Sequence, residues 1–485
     1  MVYEVKVNEL AEEFGVHRNT IRNWINSGSL PAQKAPGRRY VIQQEDYLKL
    51  CEKFGRKPKV DLPKRRIENE FQKDQTKEST TPPIHLNLKT SELKDAVDFA
   101  GICTTCGSCA SACPLSGVDG LDPRKIVRMA ALGIGKELID IEWPWKCTLC
   151  GRCEESCPMN IKIVTLMRTL RAHRQRHKVP HPLQKGVTTC LEKGNNLGIP
   201  KDDFLELVND LGVELAETSC PGFAPPIDVR GARLLVTINS KEPFAQPDDM
   251  TWWWRIFYAA DESWTISSEN WEGVNWGLYT GDDNAMKTIV ERIVDNMERL
   301  NCQALLLPEC GHAYYATRYG LEKWFPESLQ KFKIYSVFDL LLEYITENKI
   351  TLDHAVHNQL TTLHDSCNYG RKSLKAFGHG YFDEGRTIVK KCCRNFIELI
   401  PNKLDNYCCG AGGGAWATPY AAERTYFGRE KARQIQQAEA EIVVVSCHSC
   451  KDQLEKTLAR EFNLNIEVKY IWELVSQALV LPEST

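Results

Sequence analysis

At 485 residues the chain is too long for one hydrophobic core and long enough for two to four domains. A formal charge of −3 excludes a chain built as a whole to bind polyanions, and no apolar run reaches the ~18 residues needed to cross a bilayer. The opening MVYEVKVNEL lacks the basic-then-apolar profile of a signal peptide, so twenty cysteines point to metal in a reducing compartment rather than to disulfides.

Residues 1–51 read as one small unit. Val7–Phe14 has helical spacing with Asn8 as N-cap; Gly15 ends it, and Val16–Ile25 is a second helix after a tight turn. Gly37–Ile42 follows as a short wing strand. Helix, glycine turn, helix and wing resemble the winged helix-turn-helix of the MerR and excisionase type. The resemblance implies a second helix in the DNA major groove, with His17, Arg18, Asn19 and Arg22 against the bases. Seven Lys/Arg against six Asp/Glu in residues 1–50 make a weak electrostatic footprint, so protein docking stands beside DNA binding. Residues 52–85, charged and closed by Pro82-Pro83, read as a linker whose Arg56, Lys57, Lys59, Lys64, Arg65 and Arg66 offer phosphate contacts.

Residues 86–180 carry a doubled cysteine motif. Cys103-x2-Cys106-x2-Cys109-x3-Cys113-Pro114 is followed by Cys147-x2-Cys150-x2-Cys153-x3-Cys157-Pro158. This is the spacing of two-cluster bacterial ferredoxins, in which the fourth cysteine of each run serves the other cluster. One [4Fe-4S] cubane then takes Cys103, Cys106, Cys109 and Cys157, and the second takes Cys147, Cys150, Cys153 and Cys113. Eight zinc ligands would need the whole run, proline included, to recur by coincidence. Asp122–Ala131 and Gly135–Ile141 read as helices between the motifs. Ile161–His177 reads as a third, with Arg168, Arg171, Arg174 and Arg176 on solvated faces. Residues 181–229 are a connector containing a turn at Asn195–Pro200, a helix at Lys201–Leu215, and Cys190 and Cys220 as lone thiols.

From 230 to 485 strands and helices alternate, which predicts α/β layers with parallel strands. Arg233–Ile238, Ala304–Leu307, Thr362–His364 and Ile442–Val445 are the strand candidates, and Lys287–Leu300 and Pro419–Ala438 are helices. The region reads as a duplication: Asn275–Gly281 matches Cys408–Gly414 in kind, and Leu305–Gly311 matches Val443–His448. The second half holds HDSC at His364–Cys367, CCG at Cys408–Gly410 and CxxC at Cys447–Cys450. The first half keeps only Cys310. Thiolates are the soft ligands of iron–sulfur clusters, and four suffice for a cubane. A fifth suggests an unusual cluster, or an iron left for a substrate. Gly410, Gly412, Gly413 and Gly414 supply the turn and the close backbone approach that such a core needs.

The C…CCG…CxxC pattern joined to a dicluster ferredoxin motif resembles the iron–sulfur subunits of heterodisulfide reductases, in the DsrK, HmeD and HdrD group of CCG-domain proteins, over residues 90–480. The resemblance implies a noncubane [4Fe-4S] cluster on Cys367, Cys408, Cys409, Cys447 and Cys450 that meets a sulfur substrate. It also implies a membrane b-type cytochrome or other electron-donor subunit, a small thiol or cysteine-bearing sulfur-carrier protein, and a cytoplasmic place at the membrane's inner face through a partner. His364 is a candidate proton donor, and His312 with Cys310 a candidate lining of the substrate cleft. Arg371 pairs locally, Cys392-Cys393 are spare, and Trp143, Trp145 and Trp252–Trp254 are core. The full expectation is a multidomain oxidoreductase subunit: a small winged helix-turn-helix, an α-helical two-[4Fe-4S] ferredoxin domain and a duplicated α/β CCG domain. A redox-sensing transcription regulator and the iron–sulfur subunit of a glycolate or lactate oxidase are the alternatives.

Overall fold

The computed structural model describes residues 2–26, 29–35, 39–55, 64–65 and 101–481, and divides into two units, residues 1–85 and 86–485. In the first unit, β1 (Val2–Lys6) leads into α1 (Val7–Phe14) and α2 (Arg18–Asn26), the helix pair expected from the spacing. β2 (Ala32–Ala35) and β3 (Arg39–Gln43) follow, and β3 pairs antiparallel with both β2 and β1. α3 (Gln44–Lys53) closes the unit. Leu10, Phe14, Ile21, Leu30, Ile42, Tyr47 and Leu50 form its core, with the Tyr47 hydroxyl on the Glu13 carboxylate. Arg18 and Arg22 lie on the exposed side of α2; the Asn19 side chain and Gly37–Arg38 lie outside the described residues.

Two features depart from the sequence reading. β1, α3 and the edge strands carry no strong period and have no counterpart in it. The span read as a linker also contributes structure: its first residues finish α3, and β4 (Lys64–Arg65) pairs with Val2–Tyr3. The rest of it, with Arg56, Lys57, Lys59 and Arg66, falls outside the described residues.

In the second unit, short helices at Ser108–Ala112 and Arg152–Glu155 sit inside the two cysteine runs. The helix Pro123–Ala131 between the runs is capped by Asp122, which accepts the Lys125 N–H, with proline at its first position. α4 (Ile163–His173) follows the second run. The faces of α4 are not solvated as expected. Arg171 is 1% exposed and Arg174 6%. Arg171 donates to the carbonyls of Pro144, Cys147, Tyr279 and Gly413; Arg174 donates to Ile139 O and pairs with Glu142. Arg168 and Arg171, three apart, share a face of α4 that meets carbonyl-rich loops instead of water, and Arg174 follows its last turn with extended backbone.

The α/β region is two four-stranded parallel sheets. The first has the order β6-β5-β7-β8, with β5 Leu234–Val236, β6 Trp264–Thr265, β7 Ala304–Leu306 and β8 Lys333–Tyr335. The second has the order β10-β9-β11-β12, with β9 Thr361–Leu363, β10 Phe396–Ile397, β11 Ile442–Val445 and β12 Glu467–Tyr470. In both, the second strand is the edge and the first lies inside, so the connectivity repeats. The central strands β5, β7, β9 and β11 are buried throughout, which explains the unbroken apolar character of β5, β7 and β11; in β9 two buried threonines, Thr361 and Thr362, precede Leu363. The helix α5 (Gly311–Trp324) follows β7, and α6 (Ala421–Ala438) precedes β11. Trp143, Trp145, Trp253 and Trp254 are core, as expected.

Candidate metal centre

The chemistry gathers at the carboxyl ends of the parallel strands, where open α/β sheets place their ligands. β9 runs into His364–Cys367, β11 into Cys447, and β7 into Cys310. The loop carrying Cys408 and Cys409 follows β10.

The five cysteines of the C…CCG…CxxC pattern are joined by successive sulfur contacts. Cys408 touches Cys367 and Cys409. Cys409 Sγ lies 3.3 Å from Cys450 Sγ, and Cys450 touches Cys447. His364, Cys409 and Cys450 offer donor atoms within 4.8 Å of one another, all buried. The thiols shift one another alternately: hydrogen bonding from Cys408 holds Cys409 far below the usual thiol range, and hydrogen bonding from Cys310 does the same for Cys447. Burial favours neutral His364, and its Nδ1 has no hydrogen-bond partner. Soft thiolates packed this closely, with an orphaned imidazole nitrogen beside them, are a donor set that fits a thiolate-bound iron centre.

The ferredoxin cysteines fall into two further groups. Cys103, Cys106, Cys109 and Cys157 line one small pocket. Cys113, Cys147, Cys150 and Cys153 line another. The fourth cysteine of each run thus sits with the other run. Burial pushes the thiols of Cys109 and Cys147 up to about 11. Cys150 differs: a hydrogen bond from Cys408 brings it down to about 5. Cys150 and Cys408 are therefore in direct contact, and Cys408 Sγ is also 3.8 Å from Thr148 Oγ1. Cys106 is exposed, whereas Cys150 and four of the five C-terminal cysteines are buried.

Gly410, Gly413 and Gly414 take positive φ and supply the turn expected of them, and at Gly410 and Gly413 the close approach is to protein backbone. Gly413, with φ +61°, lies so close to Thr148 that an added Cβ would stand 2.7 Å from its carbonyl carbon; at Gly410, with φ +101°, it would stand 2.7 Å from Arg424 O. The loop needs glycine to seat itself on the second ferredoxin motif and on α6. Arg371 is structural as read but not local in sequence: it donates to Cys150 O, Leu404 O and Asn406 O, the first of them 221 residues away. Asp365 is held by both terminal nitrogens of Arg386. His312 is fixed by Asn275 O at 2.9 Å and by the Tyr279 ring, and burial drives it down to about 3. Cys392 and Cys393 are buried at the end of a helix, and Cys190 and Cys220 are buried singly.

Two groups had no signal in the sequence. Lys431 on α6 is wholly buried, with its ammonium on Asn406 Oδ1; burial lowers it to about 7 against Asp365, Cys409 and Cys408, which raise it. Glu242 and Glu272 are buried in the first half, and burial raises them to about 8 and about 7. Glu242 accepts the Asn239 N–H and meets His448 Nε2 at 2.9 Å. A carboxyl whose folded value lies above its ordinary 4.5 contributes fully only below about pH 4.5. Its contribution is lost as pH rises towards about 8. Thermal unfolding should therefore show Tm falling from pH 5 to pH 8, with Glu242→Gln removing roughly 1 kcal/mol per pH unit of that dependence.

Three family models match parts of the chain: a helix-turn-helix domain at residues 5–47, a 4Fe-4S dicluster domain at 100–161, and the CCG cysteine-rich domain at 361–455. A probable membrane-anchored ferredoxin of Chromohalobacter salexigens is 22% identical over 78% of this chain and 59% of its own length. An Hdr-like menaquinol oxidoreductase iron-sulfur subunit 2 of Archaeoglobus fulgidus is 24% identical over 48% and 49%. One subunit of a dihydromethanophenazine:CoB--CoM heterodisulfide reductase of Methanosarcina barkeri is 25% identical over 42% and 47%. The chain thus spans about half the length of the curated relatives it matches. Among the described residues no helix is long and apolar enough to cross a membrane. The chain thus carries a helix-turn-helix domain, a 4Fe-4S dicluster domain and a CCG cysteine-rich domain, and it is similar to iron–sulfur subunits of heterodisulfide-reductase-like proteins.

Proposed function

We propose that the chain is the electron-transfer subunit of a heterodisulfide-reductase-like complex. Its two ferredoxin groups hold [4Fe-4S] cubanes: Cys103, Cys106, Cys109 and Cys157 the outer one, and Cys147, Cys150, Cys153 and Cys113 the inner. Cys367, Cys408, Cys409, Cys447 and Cys450 hold a noncubane [4Fe-4S] cluster. Disulfide chemistry is a two-electron couple, whereas cubanes pass single electrons. A cluster held by Cys367, Cys408, Cys409, Cys447 and Cys450 would supply a sulfur-binding iron and redox capacity between the two regimes. The substrate is a disulfide or trisulfide on a small thiol or sulfur-carrier protein. The donor or acceptor is a membrane b-type cytochrome or similar subunit, which would keep the chain on the cytoplasmic face.

The contact between Cys150 and Cys408 carries this reading. It makes a ligand of the inner cubane touch a ligand of the terminal cluster, with exposed Cys106 marking the outer end of the path. The winged form of residues 1–51, with Arg18 and Arg22 exposed on α2, supports a second reading as a redox-sensing regulator. A regulator would bind a defined operator with steep salt dependence. The deciding experiment is electron paramagnetic resonance with iron analysis on anaerobically purified protein. We expect an unusual signal when the oxidised protein meets its thiol substrate, and loss of that signal with part of the iron in Cys408→Ser and Cys409→Ser. Full iron and unchanged spectra in both variants would overturn the reading.

A further inference from the structure

A cavity of about 250 Å³ opens between α4 and α5, beside the second cysteine run. Part of its wall is apolar: Leu149, Val164 and Leu278, with the stacked rings of Tyr315 and Tyr319 at 6.1 Å. The formally charged groups on the wall are Arg168, Asp283 and Lys372. We propose that this cavity holds the acidic end of the thiol substrate, with Lys372 as the residue that selects a carboxylate, sulfonate or phosphate group. This rests on the disulfide reading above, and it leaves the sulfur chemistry at the cluster.

The charge balance of the wall carries the inference. The Asp283 carboxylate is met twice, by Arg168 and by Lys323 at 2.7 Å. Lys372 has no carboxylate partner among the described residues. Its ammonium donates to the neutral Asn368 Oδ1 at 2.8 Å and lies 4.0 Å from the centroid of the Tyr315 ring. The Glu154 carboxylate attracts it from a distance but bonds elsewhere, to the Val164 N–H at 2.6 Å and to Lys375 at 2.7 Å. A cation on a partly apolar wall without a counter-charge is unfavourable, and a bound anion offsets that cost through a charge-assisted hydrogen bond.

Lys372 also ties this wall to the metal centre. It follows Cys367 by five residues, and its backbone N–H donates to Cys367 O at 3.0 Å. Burial lowers its ammonium, while Cys367 and Cys150 draw it back towards the charged form. Its stem lies along Gly151 in the second cysteine run. Cys367 is the one member of the C-terminal five that is not buried. An anion at the Lys372 ammonium and a sulfur at the Cys367 side of the cluster are then two ends of one molecule. A volume of about 250 Å³ is at the small end of ligand pockets, so the occupant is a low-molecular-weight acidic thiol rather than a protein segment.

The test uses the cluster-loaded full chain under anaerobic conditions, with reduced viologen as electron source and disulfides that differ in charge: dithiodipropionate, acidic; the disulfide of mercaptoethanol, neutral; and cystamine, basic. The expected kcat/KM for the acid exceeds that for the neutral disulfide on the order of ten- to hundredfold, the worth of one hydrogen bond to a charged group. Cystamine should be the poorest. Lys372→Gln should bring the ratio of acid to neutral near unity with iron content unchanged, Lys372→Arg should recover part of it, and Lys331→Gln, which removes a charge far from the wall, should keep the parent's ratio. Calorimetry of dithiodipropionate with oxidised protein and no reductant should show binding that Lys372→Gln weakens at least tenfold. Equal or lower kcat/KM for the acid in the iron-replete parent, or an unchanged ratio in Lys372→Gln, overturns the proposal. Should that variant lose iron, the parent decides alone: an acid bound no tighter than the neutral disulfide overturns the proposal. Iron-replete protein that reduces none of the disulfides tells against the disulfide reading, and calorimetry then judges the cavity by itself. Protein that reduces all of them equally tells against Lys372 and leaves that reading standing.

Discussion

Arg171→Met should cost about 3–5 kcal/mol of stability, because it strands several buried backbone carbonyls at roughly 1–3 kcal/mol each, partly relieved by local relaxation. Arg171 is wholly inside the protein, and burial brings its guanidinium down to about 10, so it remains charged at neutral pH. Its donors satisfy Pro144 O twice, at 3.0 and 2.8 Å, Tyr279 O at 2.8 Å, Gly413 O at 2.7 Å and Cys147 O at 2.6 Å. Methionine fills much of the volume and leaves four carbonyls without donors, each a buried unmet acceptor. Arg171→Lys should recover little, because an ammonium is a point donor and cannot span four directions. Chemical denaturation reads the stability, and iron analysis should show the inner cubane and the C-terminal cluster failing together. A variant with unchanged denaturation midpoint would refute this account.

Lys431→Met should lower the midpoint potential of the C-terminal cluster. Adding an electron beside a buried cation is easier than adding it beside a thioether. A unit charge at ~8 Å and an effective dielectric of ~20 is worth about 2 kcal/mol, or roughly 90 mV for one electron. Because burial brings Lys431 down to about 7, the parent protein should have a pH-dependent potential. At pH 6 the ammonium is charged and the potential is raised; by pH 9 it is neutral and the parent approaches the variant. A redox titration followed by paramagnetic resonance at both pH values checks this, and equal potentials in parent and variant at pH 6 would refute it.

Much of this was legible in residue spacing. The two x2-x2-x3-Pro runs placed Cys113 with Cys147 and Cys157 with Cys103, and the cavities group them that way. The apolar runs at Ala304–Leu306 and Ile442–Val445 became central strands because a strand buried on both faces has no alternation to hide it. The misses share a cause: they depend on partners far away in sequence. Spacing put Arg168 and Arg171 on one face of α4, but what that face meets is set by Gly413, 242 residues on from Arg171. Lys431 sits in a helix of ordinary amphipathic character, and nothing local distinguishes it from a solvated lysine. β1 and β4 of the first unit gave no signal because short edge pairing depends on the neighbouring strand more than on the residues themselves.

The seat of Gly412 and Gly413 on Thr148 has a consequence for segment exchange. Backbone meets backbone there with no room for a methyl group, so neither surface exists in finished form without its counterpart. The loop that carries Cys408 and Cys409 therefore takes its final seat on a segment some 260 residues earlier in the chain. Swapping in a segment without glycine at either position would break the fit at that one peptide.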